Sequence, residues 1–135
     1  MPLLEIELRE GPDDATLADL LDRSARRFAE LIEAPIERVR ASLRVVPANH
    51  WLVAGGSEAE PYPLVRMEFM EGRSEALIRE IIHEMSVTAA DVLGVDIQRT
   101  RAYVTTFPPQ YWAIGGIPAS EVRAAEVAAR AAAGG

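Results

Sequence analysis

Residues 2–13 read PLLEIELREGPD and residues 63–74 read PLVRMEFMEGRS, two stretches that begin with the same proline and reach the same Glu-Gly turn. Identities between the two halves of the chain recur at one offset of 61 residues, and seven of them mark corresponding positions of the predicted elements and turns. They are Pro2 and Pro63, Glu10 and Glu71, Gly11 and Gly72, Arg40 and Arg101, Pro47 and Pro108, Trp51 and Trp112, and Gly55 and Gly116. A constant offset over corresponding positions predicts a tandem duplication of one unit.

Each half predicts a strand, a helix and a second strand. Apolar and polar residues alternate over residues 3–9, 38–47, 63–70 and 99–106, as they do in half-buried strands. Apolar residues recur at helical spacing over residues 14–33 and again from residue 77 to about residue 94. We therefore predict an α+β fold in which two tandem β-α-β units form a four-stranded sheet with two helices on one face.

The chain is predicted to be one domain over residues 1–135. Residues 2–60 form the first unit, residues 63–118 the second, and residues 119–135 a short C-terminal helix or tail with Ser120 as its N-cap. Residues 55–60 are expected to be an exposed connection. The sheet face that turns away from the helices carries charges of both signs, which we expect to pair between chains of an oligomer.

Composition narrows the classes of function. With 135 residues, 49% of them hydrophobic, and a net charge of −7, the chain is expected to fold alone and to repel nucleic acid. It has no cysteine, and His50 and His83 are too far apart for a usual metal-ligand spacing, so no metal site is expected. No apolar run approaches the ~18 residues of a membrane span and no signal peptide is evident, so we expect a cytoplasmic protein.

Pro2 is the candidate catalytic residue. Removal of Met1 leaves a secondary amine at the start of an ordered strand, although many chains that begin Met-Pro make no use of it. A neutral amine is a good general base, and free α-amines have a pKa of roughly 7.7–8.0. Nearby cations and partial burial both lower the pKa of such a group.

Two motifs in register with Pro2 resemble those of the tautomerase superfamily, the relatives of 4-oxalocrotonate tautomerase and macrophage migration inhibitory factor. They are Met70-Glu71-Gly72-Arg73-Ser74 and Pro108-Pro109-Gln110-Tyr111-Trp112-Ala113-Ile114-Gly115-Gly116. The chain length and the opening residues 2–5 are most similar to the long, fused-unit members, which include malonate semialdehyde decarboxylase and cis-3-chloroacrylic acid dehalogenase. The resemblance implies a cofactor-free homotrimer in which Pro2 acts as general base on a small anionic 2-oxo acid or enol.

The resemblance also implies a set of substrate-binding residues. Arg73 matches the arginine of the first-turn motif, and Arg101 matches a second arginine that in the family reaches across from a neighbouring chain. Arg40 is the duplicate of Arg101, so either of the two completes the site, and we favour Arg101. Trp112 matches the aromatic wall of the pocket, with Trp51 as its duplicate. Tyr103 corresponds to a polar-site tyrosine of the dehalogenase-like members.

The two halves differ where the chemistry is expected. Pro12 stands at the position that Arg73 has in the second half, and Pro63 has an amide nitrogen, so we expect one site per chain. Decarboxylation or hydrolytic dehalogenation of small three-carbon acids is an alternative that needs water activation by Glu37 or another carboxylate, while His83 is expected to be merely exposed. A non-catalytic trimeric binding module of the same fold is a further alternative, which retention of Met1 would favour. The physiological substrate is not predicted.

Overall fold

The computed structural model describes residues 2–53, 55 and 59–134. Met1, and residues 56–58 of the predicted connection, lie outside the described residues. The main elements are β1 (Leu3–Arg9), α1 (Asp14–Ile32), β2 (Arg40–Val46), β3 (Leu64–Met70), α2 (Glu75–Leu93) and β4 (Arg101–Phe107). β2 and β4 begin two residues later than predicted, because Ile36–Arg38 and Ile97–Arg99 form single 3₁₀ turns in front of them.

The turns that follow β1 and β3 start the two helices in the same way. The side chain of Asp13 accepts a hydrogen bond from the Thr16 N–H at 2.8 Å, and that of Ser74 accepts one from the Leu77 N–H at 3.2 Å. Each cap satisfies a backbone donor that has no partner within the helix. Each helix then runs for 19 residues, and the chain after it returns to the sheet.

The sheet order is β2-β1-β3-β4. β1 pairs in parallel with β2, and β3 pairs in parallel with β4, while β1 and β3 are antiparallel with Leu3 opposite Glu68 and Glu7 opposite Leu64. Because the two central strands run in opposite directions, Pro2 and Pro63 lie at opposite edges of the sheet. Pro2 therefore lies beside the C-terminal end of β3.

The core lies between one face of the sheet and both helices, as predicted. Alternate residues of β1 and β3 are buried together with residues of both helices; they are Leu4, Ile6, Leu8, Val65, Met67, Phe69, Leu20, Phe28, Ile81 and Met85. On the opposite face, Arg66 donates hydrogen bonds to Glu5 at 2.9 Å, to Glu7 at 3.2 Å and to the Tyr103 hydroxyl at 3.1 Å. Part of the charge that was expected to pair between chains thus pairs within one chain.

The C-terminal segment forms a hairpin and two helices. β5 (Ala113–Ile114) pairs with β6 (Ile117–Pro118), and α3 (Ala119–Val122) and α4 (Ala124–Gly134) follow. The prediction of Ser120 as N-cap is wrong, because α3 begins at Ala119 without a side-chain cap. The N–H of buried Ala119 instead donates to the Trp112 carbonyl at 2.7 Å, which ties the helix start to the hairpin. Within the part of the chain that the structure describes, no helix has the length and apolarity that crossing a membrane requires.

Replacing Phe28 by alanine is predicted to destabilise the protein by about 3–5 kcal/mol, since it leaves a cavity in a fully buried site. The Phe28 ring lies 6.2 Å from that of Phe69, so the loss also loosens the end of β3. Urea denaturation at one fixed protein concentration measures the effect. Arg79→Ala, on an exposed part of α2, is the control and should shift the free energy of unfolding by less than about 0.5 kcal/mol. Equal midpoints for the two variants would contradict the assignment of Phe28 to the core.

Candidate active site

A cavity of about 110 Å³ lies at the edge of the sheet where β1 begins and β3 and β4 end. Residues from both halves and from the C-terminal helices line it; they are Pro2, Ala34, Arg38, Phe69, Met70, Arg73, Phe107, Ile114, Arg123, Glu126 and Arg130. The Pro2 carbonyl accepts a hydrogen bond from the Arg40 N–H at 2.9 Å, which fixes Pro2 against the start of β2. The ring of Pro2 is half-buried.

Arg73 lies in the turn between β3 and α2 and is held in the cavity wall by three contacts. Its guanidinium donates to the Ile32 carbonyl at 3.0 Å and to the Met70 carbonyl at 3.2 Å. The same group lies over the Phe69 ring, 4.8 Å from the ring centroid, in cation–π geometry. The two hydrogen bonds use two of the five guanidinium N–H groups, so Arg73 is fixed in place while it keeps donors for a ligand.

Burial, together with the positive charge of Arg130, lowers the pKa of Arg73 to about 10, and the carboxylate of Glu33 acts in the opposite direction. A pKa of about 10 still leaves Arg73 charged at neutral pH. The wall of the cavity therefore carries a fixed, partly desolvated cation, and a cation in such a setting interacts more strongly with an anion than one in bulk water does.

The cavity is cationic although the whole chain has a net charge of −7. Four arginines and one glutamate line it, which gives a formal charge of +3. Glu126 is held by Arg38, whose Nη1 lies 3.0 Å from both carboxylate oxygens, and lies 3.8 Å from Arg123. The lining of this cavity therefore favours a small organic anion.

Arg40 and Arg101 lie at opposite edges of the sheet. Arg40 begins β2 opposite Leu3, and its backbone N–H binds the Pro2 carbonyl, but its side chain lines a different pocket, with Glu5 and Arg66, and not the Pro2 cavity. Arg101 begins β4, donates its N–H to the Pro63 carbonyl at 2.9 Å and lines a separate pocket around Pro63. Within one chain, then, the structure brings Arg73 to Pro2 and places Arg101 apart from it.

The predicted aromatic residues also separate between the two edges. Trp112 does not itself line the Pro2 cavity. It stacks on Phe107, which does, with 4.6 Å between the ring centroids. Trp51 lines the pocket around Pro63. Tyr103 is exposed on the sheet face and accepts a hydrogen bond from Arg66.

The sequence reasoning missed four charged residues of the cavity, namely Arg38, Arg123, Glu126 and Arg130. Arg38 is repeated as Arg99 at the same offset of 61 residues, a signal that marks a position shared by the two units. The other three come from the alanine-rich C-terminal segment, whose pattern does not show where it docks. Among residues 2–53, 55 and 59–134, no group of three or more His, Asp or Glu side chains is arranged to hold a metal ion.

No protein-family model matches the chain. The 2-hydroxymuconate tautomerase of Pseudomonas sp. strain CF600 is 33% identical over 61 residues, which are 97% of that relative and 45% of this chain. The 2-hydroxymuconate tautomerase of Pseudomonas putida is 33% identical over 60 residues, which are 95% of that relative and 44% of this chain. These relatives have about the length of one repeat unit.

Solved structures match both halves. Native fused 4-OT is 32% identical with a TM-score of 0.82, and the match covers 90% of this chain and 98% of that chain. A protein crystallised after inactivation by 2-oxo-3-pentynoate is 29% identical with a TM-score of 0.83, covering 89% of this chain and 98% of that chain. The predicted α+β fold of two tandem β-α-β units is confirmed by these matches.

Replacing Arg73 by lysine is predicted to lower the free energy of unfolding by about 1–2 kcal/mol, although the charge is kept. An ammonium group does not reproduce the planar fork that reaches two carbonyls while it stacks on Phe69. Urea denaturation measures the change, and Arg79→Lys on exposed α2 is the matched control. If the two variants unfold at the same urea concentration, the contacts of Arg73 make no net contribution to stability.

Proposed function

Because the chain belongs to the tautomerase superfamily, in its fused-unit form, we propose that it catalyses the keto–enol tautomerisation of a small 2-oxo acid with the Pro2 amine as general base. The observation that carries the proposal is that Pro2 and Arg73 line one cationic cavity. The sequence relatives are named 2-hydroxymuconate tautomerases, so 2-hydroxymuconate, a conjugated enol with a carboxylate at each end, is the substrate to test first.

In the proposed reaction, the neutral Pro2 nitrogen accepts the proton of the enol hydroxyl. The electron pair of the broken O–H bond forms the keto group, and the resulting carbanion character is distributed over the conjugated carbons. The protonated Pro2 then returns the proton to one of these carbons, so the amine is regenerated and no cofactor is consumed. The arginines bind the carboxylate and stabilise the negative charge that develops on oxygen.

The cations of the cavity support the neutral form of the base. Arg73 is fixed in the wall, and Arg38 and Arg123 also line the cavity, so a further positive charge on Pro2 is unfavourable. Phe69 and Phe107 supply apolar wall on the same side, which reduces the access of water to the amine. These surroundings support the proposal of an uncharged base beside charged groups.

We further propose a cytoplasmic homotrimer in which a neighbouring chain completes the site. One solved fused 4-OT is an asymmetric trimer. It is 31% identical to this chain with a TM-score of 0.81, and the match covers 90% of this chain and 98% of that one. Arg101 lies at the edge opposite to Pro2 in its own chain, so its proposed role in substrate binding requires such a neighbour. Arg40 is the second candidate, and it too would act at a site other than the Pro2 cavity of its own chain, because only its backbone contacts Pro2.

No specific observation favours the other enzymatic alternative. Glu37, the proposed water-activating residue, is exposed in the turn before β2 and does not line the Pro2 cavity. The carboxylate that does line it, that of Glu126, is bound to Arg38. His83 is exposed on α2. Decarboxylation and dehalogenation are therefore not proposed for this chain.

Replacing Pro2 by alanine keeps an α-amine but removes the ring that holds the nitrogen in place. It is predicted to reduce kcat/KM for ketonisation of 2-hydroxymuconate by about 10-fold or more, a part of the roughly 10²- to 10⁴-fold that a well-placed general base supplies. The repeat provides a matched control, because Pro63 occupies the same position in the second unit but has an amide nitrogen. Pro63→Ala should keep kcat/KM within about threefold of the wild type. The reaction is followed by the loss of enol absorbance.

Two outcomes would contradict the proposed mechanism. One is a Pro2→Ala variant with unchanged kcat/KM. The other is a purified protein that retains Met1, as its intact mass shows, and still turns over the enol at the same rate as protein without Met1. With Met1 in place the Pro2 nitrogen is an amide, which is not a base. Retention of Met1 with no turnover of enol acids would favour the non-catalytic binding module.

A further inference from the structure

The C-terminal helix α4 lies over the Pro2 cavity of its own chain. Glu126 and Arg130 on α4 line the cavity, and Gly134 at its end contacts the Gly72 carbonyl. No residue of α4 is buried, so it has no core of its own. The hydrogen-bonded ion pair between Glu126 and Arg38 joins it to the turn before β2.

Arg130 crosses the turn that carries Arg73. A Cβ atom built on Gly72 would lie 2.9 Å from both Cγ and Cδ of Arg130, and Gly72 also has a φ of +116°. The methylene stem of Arg130 therefore lies against backbone at a position where glycine alone provides both the space and the conformation. This contact directs the side chain of Arg130 towards Arg73 at the cavity.

The structure holds two like charges close together at this point. The charge of Arg130 lowers the pKa of Arg73. Arg38 and Arg123 approach Glu126, whereas none of the ion pairs found among residues 2–53, 55 and 59–134 includes Arg130. Two neighbouring guanidinium groups that repel each other form a favourable site for an anion, which offsets the repulsion.

Arg73 and Arg130 lie at the boundary between two spaces. The cavity of about 110 Å³ contains Pro2, and an adjoining groove of about 590 Å³ runs between α4 and the ends of α1 and the β3–α2 turn. Both arginines line both spaces. Ligand pockets usually have about 300–1,000 Å³, so the cavity by itself is small for a whole substrate, and the groove beyond the two arginines supplies the additional space.

We propose that Arg130 is a specificity-determining residue that, together with Arg73, binds the carboxylate of the substrate remote from Pro2, so that α4 selects dianionic enol acids over monoanionic ones. The inference rests on the proposed function, because it takes an enol acid to react at Pro2. Glu126 has a positioning role, since its ion pair with Arg38 keeps α4 over the cavity.

The test compares two enols, 2-hydroxymuconate with a carboxylate at each end and 2-hydroxy-2,4-pentadienoate with a single carboxylate. Arg130→Ala should lower kcat/KM for the dianion by about 10- to 100-fold, as expected for the loss of a hydrogen bond between charged groups, chiefly by raising KM. The same variant should change kcat/KM for the monoanion by less than about threefold. Arg130→Lys should retain part of the selectivity, and Arg79→Ala should leave it unchanged.

A loss of equal size for both substrates would overturn the proposal, and so would unchanged selectivity in Arg130→Ala. The circular dichroism of each variant shows whether it is folded, and Arg130→Gln provides a second replacement that keeps a long side chain. Selectivity that persists in both Arg130→Ala and Arg130→Gln contradicts the assigned role of Arg130.

Equilibrium binding separates this inference from the proposed function. Adipate, a saturated six-carbon dianion, and hexanoate, the corresponding monoanion, are titrated into the full chain and followed by tryptophan fluorescence. Wild type should bind adipate more tightly, and Arg130→Ala should lose about 10-fold or more of that preference. Such a loss without any enol turnover in the wild type would overturn the proposed function while supporting the anion site. Unchanged adipate affinity in Arg130→Ala would overturn the site, whatever the turnover.

Discussion

The antiparallel pairing of β1 with β3 is the interaction on which the site depends. Leu3 lies opposite Glu68 in this pairing, so Pro2, directly before β1, lies beside the last residues of β3, including Phe69. The turn that follows β3 then carries Arg73 into the same cavity. A parallel pairing of these strands would put Pro2 next to Pro63 and would leave Arg73 at the far edge. One strand register therefore decides whether Pro2 and the fixed cation of Arg73 meet.

The duplication has produced two edges with the same backbone and different chemistry. At the Pro63 edge, the proline has an amide nitrogen and the turn of the other unit carries Pro12 instead of Arg73. At the Pro2 edge, the chain adds α4 after the second unit, whereas the described residues of the connection after the first unit, 51–53, 55 and 59–62, form no such helix. A symmetric scaffold thus carries an asymmetric site, because a chain has one N-terminus and one C-terminus.

The sequence was sufficient for the fold, and for the candidate site it pointed to two residues that line the cavity, Pro2 and Arg73. Alternation and helical spacing predicted the four strands and two long helices, since burial on one face leaves a periodic pattern. The family resemblance pointed to Arg73, which lines the cavity with Pro2. The position of α4 could not be read from such a pattern, because α4 buries no residue. It is held by the Glu126–Arg38 ion pair and by the contact of Arg130 with Gly72, and both contacts join residues that are far apart in the sequence.

The distribution of charge in the cavity follows from these long-range contacts. Arg38, on the turn before β2, and Arg123 both approach Glu126, so these two positive charges share one carboxylate. Arg73 is bound by neutral carbonyls and an aromatic ring, which hold its position without neutralising its charge. Arg130 adds a second charge of the same sign next to it. Since burial makes such repulsion more costly than it is in water, the positions of Arg73 and Arg130 are best explained by an anion that binds both.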